Sequence, residues 1–219
     1  TMSDLDNTLS STPADAEAAA PVRKRPKPGE RRVQILQALA TMLEQPGAER
    51  ITTAALAAKL EVSEAALYRH FASKAQMFEG LIEFIEQTVF SLVNQIAERE
   101  AGAGDVAAGA RQAGKIIAML IQFAEKNPGM TRVMVGDALV FENERLQQRM
   151  NQFFDKIEST LKQCLREAGA ASSGTPSVDA QVGASVLTAF VVGRLQRFAR
   201  SGFRRLPSEH LEASLAQML

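Results

Sequence analysis

The sequence predicts an all-α protein: an N-terminal three-helix head carrying a helix-turn-helix, followed by a C-terminal helical dimerisation body. Three observations carry that expectation. Apolar residues recur at three- and four-residue spacing along the segments that lie between glycines and prolines. Capping residues (Thr52, Ser63, Ser73, Asp105, Asn127, Asp137) stand at the starts of those segments. The stretch from Ile51 to Lys74 holds two short helical segments joined by a tight turn.

Taken in order, residues 1–29 are poor in large apolar groups and rich in Ala, Ser, Pro and Asp. Such a segment buries too little surface to offset its ordering entropy, so a disordered tail is expected. Its basic run, Arg23-Lys24-Arg25-Pro26-Lys27, is either a solvated tail or an arm for a DNA backbone or minor groove. Glu30 to Glu44 is the first ordered helix, with Val33, Leu36, Ala40 and Leu43 on its apolar stripe and Gln45-Pro46-Gly47 as its stop.

Thr52 and Thr53 offer N-caps for a helix over 54–60, and Glu61-Val62 makes the turn. Ser63 caps a second helix over 64–71, with Glu64 in its first turn. Leu67 and Phe71 share one face with Val62 and point inward. Ala65, Tyr68, Arg69 and His70 line the remaining faces. Small residues let a helix approach a surface closely, and the longer ones end in hydrogen-bond donors. That is the chemistry of a helix entering a major groove between phosphate contacts.

Ser73 caps a long helix to Glu100 with its stripe at Phe78, Leu81, Ile82, Ile85, Val89, Leu92 and Ile96. Phe84 and Phe90 each lie roughly 120° off that stripe. Either they form a second packing face or they make an exposed partner-binding ridge. Asp105 caps a helix from Val106 to Lys126, whose 116–123 half is apolar nearly all round and therefore buried. The run GARQAGK over 109–115 lacks the hydroxyl residue and preceding strand of a phosphate-binding loop, and is a helix with two glycines.

Asn127-Pro128 starts a short helix, and Asp137 opens a long one to Ala168. A loop over 169–177 follows, then a helix over 178–201 mixing Val182, Val186, Phe190 and Leu195 with Gly183, Ala184, Ala189 and Gly193. Two such helices pair with copies of themselves in four-helix dimer interfaces. Pro207-Ser208-Glu209 begins a final short helix.

The 219 residues carry no net charge, yet ten Lys or Arg face five Glu between Val22 and Ala75. A basic N-terminal third on a near-neutral body is the footprint of a DNA-binding head. No run of about 18 apolar residues predicts a membrane span. The N-terminus lacks the apolar stretch of a secretory signal. A lone cysteine, Cys164, leaves no intrachain disulfide and fits a reducing cytoplasm. Two histidines without metal-ligand spacing argue against zinc. No catalytic residue, metal or cofactor is expected, and the protein is not read as an enzyme.

The segment VSEAALYRHFASKAQMFEGLIE, with its Leu-Tyr-x-His-Phe-x-x-Lys core, resembles the DNA-binding signature of TetR-type regulators. Beyond it LIEFIE (81–86), NPGMTR (127–132) and FENERLQQRMNQFF (141–154) resemble the nucleoid occlusion branch of that family, over about Arg31 to Glu167. One departure is Glu61, where such motifs often carry Gly. If Glu61 is left-handed the cost is on the order of 1 kcal/mol.

The resemblance implies a head over 30–75 and a dimerisation and partner-binding domain over 76–219. It implies phosphate contacts at Tyr68, His70 and Lys74, base-edge contacts at Ser63, Glu64, Ala65, Ala66 and Arg69, and backbone contacts at Thr52 and Thr53. It further implies a homodimer on palindromic double-stranded DNA, cytoplasmic and nucleoid-associated, that restrains the tubulin-like division protein FtsZ. Phe84, Lys126 and Asn127 then fall on the partner surface. The competing readings are a repressor with a small effector in its body, and a helical interaction module that binds no DNA.

Overall fold

The structure, a computed structural model, describes residues 24–45, 50–105, 107–172 and 177–219. Most of the expected tail, the Pro46-Gly47 stop, Val106 and residues 173–176 lie outside them. Among the described residues the regular structure is helical: α1 Pro28–Leu43, α2 Thr53–Leu60, α3 Glu64–Tyr68, α4 Lys74–Glu100, α5 Ala108–Lys126, α6 Pro128–Met134, α7 Glu144–Ser172, α8 Ser177–Arg200 and α9 Leu211–Met218.

The helix α1 starts two residues earlier than expected, because Pro28 fits the first turn and the Glu30 carboxylate accepts from the Lys27 N–H at 3.0 Å. Its buried face also differs from expectation. Ile35, Leu39 and Leu43 point inward while Val33 is 52 % exposed. Leu36 instead fills the side toward α4, where its Cδ2 lies 3.0 Å from where a Gly80 Cβ would stand. α1 is thus rotated to serve two neighbours, α2 and α4, and it also packs on α6.

In the motif Thr52 Oγ1 accepts from Ala55 N and Ser63 Oγ from Ala66 N, so both caps form. Glu61 is left-handed, with φ 55° and ψ 42°, in the turn between them. α3 ends at Tyr68 rather than Phe71, because the chain tightens through a His70 N–H to Leu67 O bond. Phe71 is nonetheless buried with Leu67, as the apolar spacing requires.

α4 carries the chain from the head to the far end of the body, and α5 returns beside it. Val93 joins the expected α4 stripe in the core, while Leu92 and Ile96 are half-buried. α5 begins at Ala108, since Asp105 binds Arg111 instead of capping. Ile116, Ile117, Leu120 and Ile121 are buried, but Ala118 and Met119 are half-buried and Gln122 is exposed, so this half has an outward strip and is not enclosed all round as expected.

Asn127 does not cap α6 through its side chain; its Nδ2 donates to Phe123 O and closes α5. α6 sits close under α1: a Cβ on Gly129 would stand 2.0 Å from Ala40 O. Arg132 Nη1 donates to Leu43 O across the same seam.

α7 also begins later than expected. After Gly136, at φ 86°, Asp137–Leu139 forms a 3-10 turn, and Asn143 supplies the local hydrogen bonds, accepting from Arg145 N and Leu146 N. The helix then runs on to Ser172, so the expected loop at 169 starts later. α7 and α8 form an antiparallel hairpin packed on α5. α8 buries Ala184, Leu187, Val191 and Leu195, whereas Val182 and Val186 face outward. α9 starts at Leu211, because residues 206–210 form a turn with His210 left-handed. One continuous core of aliphatic and Phe side chains joins head to body.

Candidate nucleic-acid and partner interfaces

The motif's outward faces are held by short-range bonds. Thr53 Oγ1 donates to Glu64 Oε2 at 3.1 Å and accepts from the Tyr68 hydroxyl at 3.4 Å, which ties α2 to α3. Thr52, Ser63, Glu64, Ala65, Tyr68 and Arg69 are exposed, and Ala66 and His70 are half-buried beside them. These side chains therefore share one surface of the head, with small residues in the first turn of α3 and donors at its end. The geometry suits a helix that enters a groove by its N-terminal half.

Arg32 is fixed beneath this surface, its guanidinium 4.3 Å from the Phe71 ring centroid. A hollow of about 520 Å³ lies next to α3, and Arg25, Lys27, Arg31, Arg69 and His70 all line it. The pre-helix residues thus stand beside α3, contiguous with the motif's donors. Among the described members of the basic run, Arg25 and Lys27 contribute cations that composition alone left between two uses.

Lys74 is not a free cation. Its Nζ lies 2.6 Å from Glu142 Oε1, contributed by the segment before α7, and 6.0 Å from the Phe78 ring centroid. The partner is 68 positions distant, so no local pattern disclosed it.

The two off-stripe aromatics separate. Phe90 is half-buried against Phe153, ring centroids 5.4 Å apart, with Lys156 Nζ 4.1 Å from its centroid. Phe84 is 45 % exposed. Lys126 is exposed and Asn127 half-buried at the end of α5. α4 packs on both α5 and α6. Antiparallel α4 and α5 meet at one end through Glu100 and Lys115, which sets Phe84 near the level of the α5–α6 junction.

Among the described residues that same Glu100 is the buried charged side chain, at 7 % exposure. It accepts from Lys115 Nζ and from both Arg111 Nε and Nη2. The Lys115 and Arg111 hydrogen bonds hold its carboxyl below the ordinary range. Sequence spacing did not single it out, because its partners lie across a helix break. Burial pushes the Cys164 thiol up to about 11, and His210 is exposed elsewhere. Among the described residues no group of three or more His, Cys, Asp or Glu is arranged to hold a metal. None of the helices there is long and apolar enough to cross a membrane.

A helix-turn-helix head fused by one long helix to an all-helical body is the build of a DNA-binding transcriptional regulator. Residues 35–81 match the family described as bacterial regulatory proteins, tetR family, and residues 110–219 the tetracyclin repressor-like C-terminal domain of SlmA type. Solved structures agree on the fold. A FadR regulator from Bacillus subtilis in complex with stearoyl-CoA superposes with TM-score 0.66 at 13 % identity, over 85 % of this chain and 96 % of that one. NalD of Pseudomonas aeruginosa, a secondary repressor of a multidrug efflux pump, gives TM-score 0.66 at 19 % identity over 87 % and 96 %.

Closer relatives share far more sequence. The nucleoid occlusion factor SlmA of Idiomarina loihiensis is 50 % identical over 84 % of this chain and 90 % of its own. That of Vibrio cholerae is 49 % identical over 83 % and 90 %. The chain belongs to the SlmA nucleoid occlusion factors, a branch of the TetR family.

Proposed function

We propose that this nucleoid occlusion factor acts as a homodimer on palindromic double-stranded DNA and there restrains FtsZ assembly over the chromosome. It works in the cytoplasm, on the nucleoid. The domain division that goes with this is a head over 30–75 and a partner-binding body over 76–219. Half of the residues are shared with an SlmA protein over 84 % of this chain, and that observation carries the reading.

On the DNA side, Thr52, Thr53, Tyr68, His70 and Lys74 hold phosphates, while Ser63 to Ala66 and Arg69 meet base edges. The clustering of all but Lys74 on one face, with Thr53, Ala66 and His70 half-buried and the rest exposed, supports this. Lys74 must exchange Glu142 for a phosphate oxygen, so its contribution includes breaking that pair. Arg25, Lys27 and Arg31 extend the same basic surface toward the flanking backbone.

The dimer forms through α7 and α8. Val182, at 57 % exposure, Val186 and the half-buried Phe190 make an apolar outward face of α8, and nothing lies within 4 Å of a Cβ added at Gly193. A small-residue, apolar helix face of this kind fits close pairing with its own copy. The two heads then read half-sites roughly one 34 Å turn apart, or a multiple of it.

On the partner side Phe84 is the apolar anchor and Lys126 and Asn127 are its polar companions. The contrast with packed Phe90 supports this, since an exposed aromatic in the middle of a long helix has no folding role to explain it. Purified FtsZ pulled down with and without operator DNA tests the reading. Phe84→Ala should lose about 1–3 kcal/mol of partner affinity, the range of an interface hot spot, while the gel shift and melting temperature stay at wild-type values. Wild type that fails to capture FtsZ in either condition would overturn the reading.

A further inference from the structure

The chain between α8 and α9 is more strongly built than a connection requires. Gly202 and Phe203 are consecutive left-handed residues, at φ 63° and 65°, and His210 is a third at 52°. Ser201 Oγ accepts from Arg205 N at 2.8 Å and donates to Phe198 O at 2.9 Å. Phe203 packs edge-on against Phe198 with centroids 5.2 Å apart. Arg194 Nη1 donates to Pro207 O and Glu209 O, and Glu125 Oε1 accepts from Ser208 N at 2.9 Å. Left-handed backbone at Phe203 and His210 persists only where its surroundings hold it, which directs attention to what the turn displays.

It displays Arg204, Arg205 and Leu206, all exposed, Leu206 at 52 %. Arg197 and Arg200 have an ordinary explanation, since cations in a last helical turn complement the helix dipole. Arg204 and Arg205 lie beyond the helix end and have none. Arg205 reaches Glu209 only at 3.7 Å, with both side chains about half exposed. Arg204 has no ion-pair partner among the described residues.

The place of this turn gives it a use. Glu125, which holds Ser208, immediately precedes Lys126 on α5. Ala118, one helical column with Glu125, lines a hollow with His210, Leu211 and Leu215. Lys115, on the same outward strip as Met119, Gln122 and Lys126 and roughly 60° round α5 from Ala118, pairs with Glu100 of α4. The outward strip of α5 through Met119, Gln122 and Lys126 therefore runs between α4, which carries Phe84, and the 201–210 turn.

We infer that Arg204, Arg205 and Leu206 form the second wall of the partner surface and bind an acidic, partly apolar segment of the partner. This rests on the partner reading of Phe84 and Lys126. The Arg204 guanidinium, without an ion-pair partner among the described residues, and the long, exposed Arg205–Glu209 pair favour incoming carboxylates, and an exposed Leu beside them supplies apolar contact. A phosphate backbone would gain nothing from Leu206, whereas a segment with apolar side chains beside its carboxylates uses the Leu as well as the guanidiniums.

The test compares wild type, Arg204→Ala/Arg205→Ala and Phe84→Ala by equilibrium binding to purified FtsZ at low and high salt. An operator gel shift and a thermal melt accompany each. The double variant should bind FtsZ about 3- to 30-fold more weakly at low salt, with a flatter salt dependence, and unchanged operator binding and melting. If the double variant melts early, Arg204→Gln alone should give a smaller loss in the same direction on a folded protein. Unchanged FtsZ binding by the double variant, with Phe84→Ala weakened, overturns this inference and leaves the Phe84 site standing. A flattened operator salt slope instead assigns the turn to DNA and also overturns it. Wild type that does not bind FtsZ removes both.

Discussion

The head and the body are made of the same material, aliphatic helices, yet they secure their polar side chains at different ranges. In the helix-turn-helix the side-chain bonds are mostly local, the Arg32 contact with His70 O being the exception. Thr52 caps Ala55, Ser63 caps Ala66, and Thr53, Glu64 and Tyr68 close a small network within 15 residues. Beyond the helix-turn-helix, several span the chain: Lys74 with Glu142, Glu79 with Arg145, Glu86 with Arg149 and Glu125 with Ser208. The head thus presents a surface that its own short sequence determines. The body's surface depends on which helices meet, and its unpaired groups are informative for that reason.

The largest expected effect tests the head's share of the core. Phe71→Ala removes a fully buried ring and the face on which Arg32 stacks, and should destabilise the fold by about 3–5 kcal/mol in a denaturant titration. A loss below about 1 kcal/mol would mean the head is not integral to the core. Next comes the body's proposed pairing face. Ala189→Glu sets an exposed charge on the outward side of α8 and should leave monomers by sedimentation, with the far-ultraviolet spectrum unchanged. A dimer that survives at nanomolar concentration moves the interface off α8.

Lys74→Ala tests a residue where the two regimes meet. It should weaken all DNA sequences alike and reduce the salt slope of operator binding by roughly one charge. Because Glu142 must give up Lys74 in the complex, Glu142→Gln should tighten DNA binding modestly, and equal binding by the two proteins would argue against that competition.

The smallest effect concerns Glu100. Its folded carboxyl is held low by hydrogen bonds from Lys115 and Arg111, so the stability it contributes is present above the unfolded value of about 4.3. That contribution is lost as pH falls through the depressed folded value. The melting temperatures of wild type and Glu100→Gln should therefore differ near neutrality and converge in acid. A constant gap across that range would show that the carboxylate's charge is not what stabilises the α4–α5 junction.

This contrast in range also explains what the sequence disclosed. Thr52, Ser63 and Ser73 are caps that bond three residues ahead, so helix starts in the head were legible. The inward pair Leu67 and Phe71 followed from spacing, and the left-handed backbone that the family resemblance raised as a condition at Glu61 is found there. Where a residue's role depends on a distant helix the pattern misled. Val33 and Val182 are apolar at helical spacing but face outward, since α1 is turned to meet α4 and α6, and α8 buries its opposite side. Asp137 and Asn127 have cap-like types, yet one opens a 3-10 turn and the other closes the preceding helix. Phe84 and Phe90 were equivalent off-stripe aromatics until α7 covered one of them.

Cys164 gives the molecule an experimental property of its own. It is the only sulfhydryl in the chain, it is buried, and its thiol is pushed up to about 11. At neutral pH roughly one molecule in 10⁴ then carries a thiolate there. The wild-type sequence is therefore a silent background for maleimide chemistry. A single cysteine introduced at an exposed site, such as Gln152 on α7, can carry a spin label or fluorophore without removing the native one.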